Sequence, residues 1–178
     1  MRYGALLFSL FLLLSSCINE PEERTPSTPE VAVGDTLPAF QVVMDDGSQL
    51  SPAALRGKAS VIVFFNTECT DCQQELPVLN AFYLAHAGDL RFRMACISRA
   101  QGRDDILAYW SNHHLELPFS AQEDKAVFYL FAHSRIPHIY ISDADCTVRY
   151  IHDDRDMPSL QTLEQELRQV APFSTELQ

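Results

Sequence analysis

The sequence predicts a single α/β domain, with a central mixed sheet, helices on both faces and an N-terminal β-hairpin. Three observations carry that expectation. Strand and helix patterns alternate along the chain. Ser60 to Phe65 (SVIVFF) is an unbroken apolar run, the composition of a strand covered on both faces. Finally, two late strands, His138 to Ser142 and Thr147 to Ile151, are joined only by Asp143-Ala144-Asp145-Cys146, which makes them antiparallel and the sheet mixed. With 178 residues, 47% of them hydrophobic, the chain can bury one such core and is too short for two ordinary domains.

The elements follow in order. Phe40 to Met44, Asp45-Asp46-Gly47 and Ser48 to Leu50 form the hairpin, with an Asp-Gly turn. Ser51-Pro52 supplies an N-cap and a first-turn proline for a short helix that Gly57 stops. After the apolar strand, Cys72 to Ala87 carries Leu76, Leu79, Phe82 and Tyr83 at helical spacing. Phe92 to Ile97 is the next strand. Arg103 to His113 is a helix with Ile106, Leu107 and Trp110 on one face, and Leu117 to Ser120 is short and extended. Asp124 to Phe131 reads as a further helix through Val127, Phe128 and Leu130. Ser159 to Val170 closes the fold as an amphipathic helix with Leu160, Leu163, Leu167 and Val170 inward.

The N-terminus reads as an address. Residues 1–16 have one charge, Arg2, then an apolar run from Ala5 to Leu14 broken only by Ser9, then Ser15-Ser16. That is a secretory signal, too short to span a bilayer as a helix of about 20 residues. Leu14-Ser15-Ser16-Cys17 resembles the bacterial lipobox, which implies cleavage before Cys17 and acylation of its thiol with fatty chains such as palmitate. Residues 17–33 hold three prolines among Glu, Ser and Thr and read as a tether spanning roughly 20–25 Å, so the folded domain is expected over 34–178. Ile18 after the acylated cysteine favours the outer membrane over the inner one. The chain is thus expected in a bacterial cell envelope, lipid-anchored and facing the periplasm or in the outer membrane. Lys and Arg total 13 against 24 Asp and Glu, a net charge of -11 that argues against nucleic acid and leaves membrane attachment to the lipid.

Five cysteines, Cys17, Cys69, Cys72, Cys96 and Cys146, are too few for a disulfide scaffold. Cys69-Thr70-Asp71-Cys72 is a C-x-x-C between the apolar strand and the start of a helix, where unpaired N–H groups and the helix dipole stabilise a thiolate. The spacing suits a reversible redox pair, and a structural disulfide and a metal site share it. Zinc needs further paired ligands. Cys96, Cys146 and the scattered histidines, among them His113, His114, His133 and His138, offer none, so no metal is expected. Cys96 is read as a buried free thiol and Cys146 as a partly exposed one at the opposite end of the sheet, with no bridge between them.

Ile136-Pro137 precedes the strand from His138; alone it is an ordinary strand-start proline. Together with the β-α-β order and the C-x-x-C it resembles the thioredoxin superfamily. A more specific likeness is to the TlpA/ResA-like thiol-disulfide oxidoreductases. Gly34-Asp35-x-x-Pro38-x-Phe40, Asp46-Gly47, Leu55-Arg56-Gly57-Lys58, Phe64-Phe65-Asn66, Cys69-x-x-Cys72-x-x-Glu75-Leu76-Pro77 and Ile136-Pro137 carry it, over about residues 33–170. The resemblance implies a thioredoxin-like fold with a helix-strand insertion at 103–120. It implies a cis Pro137 beside the pair, with the Ile136 backbone binding a substrate cysteine segment. Cys69 would be the nucleophile, Cys72 the resolving cysteine and Glu75 a group for proton transfer, unless Glu75 is merely a solvated helix residue. It further implies cysteine-containing protein substrates, an upstream membrane thiol reductase and no cofactor. Two positions depart from the pattern: Glu68 stands where the family usually has Trp, and Val63 where thioredoxin has a buried acid. Glu68 and Asp71 oppose the Cys69 thiolate, which predicts a reductase rather than a strong oxidant. His138, following Pro137, lies near the redox face by the same likeness. Two alternatives to the reductase stand beside it. One is a non-catalytic binding module with a structural disulfide. The other is a peroxiredoxin-type peroxidase, against which Ile62 and Asn66 occupy that family's Pro and Thr positions.

Overall fold

The computed structural model describes residues 29–171. The signal segment 1–16, Cys17 and the tether up to residue 28 lie outside the described residues. Residues 30–33, assigned to the tether by composition, are bound to the domain: Val31 N–H donates to the Phe131 carbonyl at 2.9 Å and His133 N–H to the Glu30 carboxylate at 2.8 Å.

A two-stranded hairpin, β1 (Val42–Val43) and β2 (Gln49–Leu50), leads into α1 (Pro52–Leu55). Then come β3 (Ala59–Phe65), α2 (Thr70–His86), β4 (Phe92–Ser98), α3 (Arg103–His113), β5 (Phe119–Ser120), β6 (His138–Ser142), β7 (Val148–Asp153) and α4 (Leu160–Val170). The main sheet has the order β5-β4-β3-β6-β7. β3 is parallel to β4 and antiparallel to β6, and β6 is antiparallel to β7, so the sheet is mixed as expected. Every residue of β3 is buried, the result of its central place between two packed layers.

Two apolar layers cover the sheet. One lies under α2, α3 and α4 and contains Val61, Val63, Phe65, Cys72, Leu76, Leu79, Cys96, Ile139 and Leu163. The other lies under the N-terminal hairpin and α1 and is rich in aromatic rings, among them Phe40, Phe64, Phe128, Phe131 and Tyr140.

Several local expectations are corrected. Asp124 to Phe131 is a turn followed by a single 3-10 turn at Phe128–Leu130. Asp124 spends its carbonyl on Ala100 N–H and its carboxylate on Ala126 N–H, which bends the chain before an α-helix can start. Phe128 and Phe131 bury at a spacing of three, the period of a 3-10 turn, and Leu130 faces solvent. Leu107 and Leu160 are also outward, at 42% and 41% exposure, since the neighbours of Ile106–Trp110 and Leu163–Leu167 already fill the layer. Ser51 makes no side-chain cap; its carbonyl takes Ala54 N–H, and Pro52 sets the first turn. Cys146 is buried, not partly exposed. Leu37 N–H binds its carbonyl, and the N-terminal segment covers the turn that holds it.

Candidate active site

β3 ends at Phe65, and the chain leaves that end of the sheet through Asn66-Thr67-Glu68 before α2 begins. That crossing is held from several sides. Asn66 accepts Glu68 N–H on its side-chain oxygen at 2.8 Å and donates to the Arg99 carbonyl at 3.2 Å. Thr67 N–H donates to Gln101 at 2.9 Å, and Gln73 donates back to the Thr67 carbonyl at 2.7 Å. This ordering places Cys69 at the N-cap of α2, in extended backbone, with its carbonyl accepting Gln73 N–H at 3.0 Å. Cys69 is half-buried and Cys72, one turn further, is fully buried. Both are free thiols, as are Cys96 and Cys146.

The Ile136–Pro137 peptide bond is cis. The Cys69 thiol donates to the Ile136 carbonyl at 3.5 Å, so the proline loop and the cysteine helix meet although 67 residues separate them. β6 starts immediately afterwards, with His138 buried and stacked flat on Tyr140 at 4.8 Å between ring centroids. Burial lowers the proton affinity of His138, against a smaller opposing effect of Asp153. Arg155 in turn holds the Asp153 carboxyl at about 2.

Electrostatics separate the two cysteines. Burial pushes the Cys72 thiol far up; the Asn66 N–H pulls it back, and Cys69 and Asp71 add to the rise. Glu75 is not a solvated helix residue. It is 3% exposed, while its neighbours Gln73 and Gln74 face solvent. Its Oε1 has no hydrogen-bond partner among the described residues, and burial raises its carboxyl to about 7. His152, across the layer, partly offsets that rise.

Sequence reasoning missed His152 and Glu166. His152 Nε2 lies 2.9 Å from Glu166 Oε2, both residues buried, and His152 Nδ1 lies 3.4 Å from Asp156 Oδ2. Glu166 sits on the inward stripe of α4 with Leu163, Leu167 and Val170, where its helical phase was a signal that its charge obscured. Also missed was Tyr109 of α3, which packs on the layer and whose phenol is raised by burial, with a smaller contribution from Cys72. No group of three His, Cys, Asp or Glu side chains is placed to hold a metal ion among the described residues.

The model of the AhpC/TSA family matches residues 33–151. The chain belongs to that family. Among curated relatives, the thiol-disulfide oxidoreductase ResA of Bacillus thuringiensis subsp. konkukian is 19% identical over 176 residues, covering 97% of this chain and all of that one. The fold is that of a thiol:disulfide interchange protein of the thioredoxin family from Chlorobium tepidum, with a TM-score of 0.66 at 21% identity over 79% of this chain and 98% of the other. StoA from Bacillus subtilis superposes with a TM-score of 0.62 at 17% identity, over 74% and 98%. The ResA-like, thioredoxin-fold resemblance drawn from the motifs therefore holds.

Proposed function

We propose that this chain is a thiol-disulfide oxidoreductase that reduces protein disulfides through Cys69 and Cys72, tethered outside the cytoplasm by a lipid on Cys17. One observation carries the reading: a half-exposed thiol at a helix N-terminus touches the carbonyl before a cis proline, with a second thiol buried one turn behind it.

The Cys69 thiolate attacks a substrate disulfide, forming a mixed disulfide and releasing the other substrate sulfur as a thiolate. The substrate segment lies along Ile136-Pro137, whose carbonyl is free to accept its N–H once Cys69 has lost its proton. Cys72 then attacks Cys69, the bond to the substrate breaks, and two electrons have passed to the substrate. Cys72 reacts only as a thiolate, and Glu75, three residues on along the same helix, takes its proton. A membrane thiol reductase on the same side restores the dithiol. The direction follows from burial. Burial, with Cys69 and Asp71 adding to it, disfavours a thiolate at Cys72, and a poorly stabilised thiolate goes with a weakly oxidising disulfide.

Titration of the pair in dithiothreitol buffers, read by thiol trapping and mass spectrometry, tests the reading. A two-thiol transition well below about -120 mV, the potential of a strong oxidant, is expected. A disulfide that resists reduction in the folded protein would leave a binding module in its place. Rapid oxidation of Cys69 by peroxide, without need of a disulfide substrate, would leave a peroxidase.

A further inference from the structure

Two loops face each other across this site, the one that carries Cys69 and the one that carries Ile136-Pro137. β3 runs out into the first and β6 starts from the second at the same end of the sheet, since Phe64 pairs with His138. β4 flanks β3 on the other side and ends there too, with Ser98 opposite Phe65. The turn that leaves β4, residues 98–101, is bonded to both loops.

Gln101 grips the cysteine loop. Its Oε1 accepts Thr67 N–H at 2.9 Å, and its Nε2 donates to Thr67 Oγ1. Both residues are 7% exposed, and Thr67 stands two positions before Cys69. With Gln73 on the Thr67 carbonyl, glutamine side chains hold its N–H, its hydroxyl and its carbonyl. Arg99 joins the two loops. Its N–H donates to the Phe65 carbonyl at 2.8 Å, and its own carbonyl accepts from Asn66 Nδ2 at 3.2 Å. Its guanidinium lies over the Phe128 ring at 5.1 Å and donates through Nη1 to the carbonyl of Ser134, two residues before Ile136. The turn itself is tied down. Buried Ser98 Oγ donates to the Gln101 carbonyl at 2.8 Å and accepts Gln122 N–H at 2.7 Å, and Ala100 N–H donates to the Asp124 carbonyl at 2.9 Å. Between the two gripping residues, Ala100 has a φ of 56°, left-handed backbone that a residue with a Cβ rarely adopts. Such backbone persists only where its surroundings impose it, and it concentrates at functional sites.

We propose that the turn 98–101 is the positioning element of the redox site: Gln101 fixes where Cys69 stands, Arg99 fixes where Ile136-Pro137 stands, and together they set the gap in which a peptide disulfide meets the nucleophile. The inference rests on the oxidoreductase reading. Neither side chain bonds to a sulfur of the pair, so both act through the loops they hold. A peptide substrate must lie along the proline loop and present its disulfide to Cys69 at the same time. A small disulfide without a peptide backbone needs only Cys69. Loosening the turn therefore slows the first reaction far more than the second.

Single-turnover reduction by the pre-reduced full chain tests this with two disulfides, an octapeptide dimer joined by one disulfide and 2-hydroxyethyl disulfide. Urea curves confirm that each variant is compared as folded protein. Gln101→Met keeps the side-chain length and removes both amide bonds. It should slow the peptide reaction by about tenfold or more and leave the small disulfide within about threefold of wild type. Arg99→Met should change the same ratio by a smaller factor, because the Arg99 backbone bonds remain. Thr67→Val, which loses only the hydroxyl, should lower the ratio, and Thr67→Ser should recover most of that loss. Folded Gln101→Met with the wild-type ratio, or slowed equally with both disulfides, overturns the proposal and leaves the oxidoreductase reading standing. If Gln101→Met does not fold, the same outcomes in Thr67→Val and Arg99→Met decide it. A wild type that reduces neither disulfide would instead overturn the oxidoreductase reading.

Discussion

The two faces of the sheet are built from different materials. Under the hairpin, Phe64 lies 4.9 Å from Phe131 and 5.4 Å from Phe128 between ring centroids, Phe131 lies 5.5 Å from Phe40, and Tyr140 lies 5.1 Å from Phe131. The Tyr140 hydroxyl, the polar handle of that cluster, donates to the Phe131 carbonyl at 3.1 Å. Under α2 and α4, the apolar layer encloses two thiols, Cys72 and Cys96, and sits against Glu75, His152 and Glu166. The aromatic face leaves a ring nitrogen, His138 Nδ1 beside Tyr140, without a hydrogen-bond partner among the described residues. The other tolerates a carboxyl oxygen with no partner among the described residues, an arrangement that costs stability and is expected where chemistry requires it. The two sides of one strand layer thus bury different groups, aromatic rings on one and thiols with acids on the other.

The sharpest way to break that contrast is to remove the nucleophile. Cys69→Ser should lower reduction of a protein disulfide by about a thousandfold or more, with no loss of thermal stability, since the half-exposed thiol contributes one weak hydrogen bond. Retained turnover would move the chemistry elsewhere. On the opposite face, Phe131→Ala should cost about 3–5 kcal/mol of unfolding free energy in urea, and the exchange rate of the protein that remains folded should not change. A changed rate would show that the faces are coupled.

Glu75→Gln measures what the reactive face gives up. A buried acid whose folded value, about 7, lies above its ordinary 4.5 binds more protons folded than unfolded between those pH values. Stability is then lost as pH rises through that window. The variant should therefore be more stable than the wild type at pH 8, by up to about 3 kcal/mol, and should gain little at pH 4. Equal gains at both pH values would mean that the carboxyl charge is not the cause. The smallest effect belongs to Tyr140→Phe, expected to cost about 1 kcal/mol for one buried hydrogen bond at either pH. Urea curves at pH 4 and pH 8 for both variants settle the pair of comparisons.

Much of this was legible in the chain. SVIVFF announced the central strand because a strand buried on both faces has no polar phase to obscure. The Cys-x-x-Cys at a strand-to-helix junction announced the site because spacing and helix position are local properties. The segment 124–131 was misread because its apolar spacing fits two periods, and hydrogen bonds from Ala100 decided between them. Cys146 was misread because a turn residue is buried only when a distant segment, here Leu37, folds over it.

Residue order by itself determined the strand-helix alternation, the mixed character of the sheet and the pair of cysteines at the start of α2, since each depends on neighbours within a few positions. Tertiary structure decided what surrounds that pair. Ile136 reaches Cys69 across 67 residues only because β6 runs antiparallel beside β3. His152 meets Glu166 of α4 only because the β6–β7 register shifts at Ile141/Ser142. Without that irregularity a period of two would put His152 on the face of Val148, among the aromatic rings. A bulge leaves no mark in the alternation of the strand that carries it, so the partner of the buried glutamate became visible only in the fold.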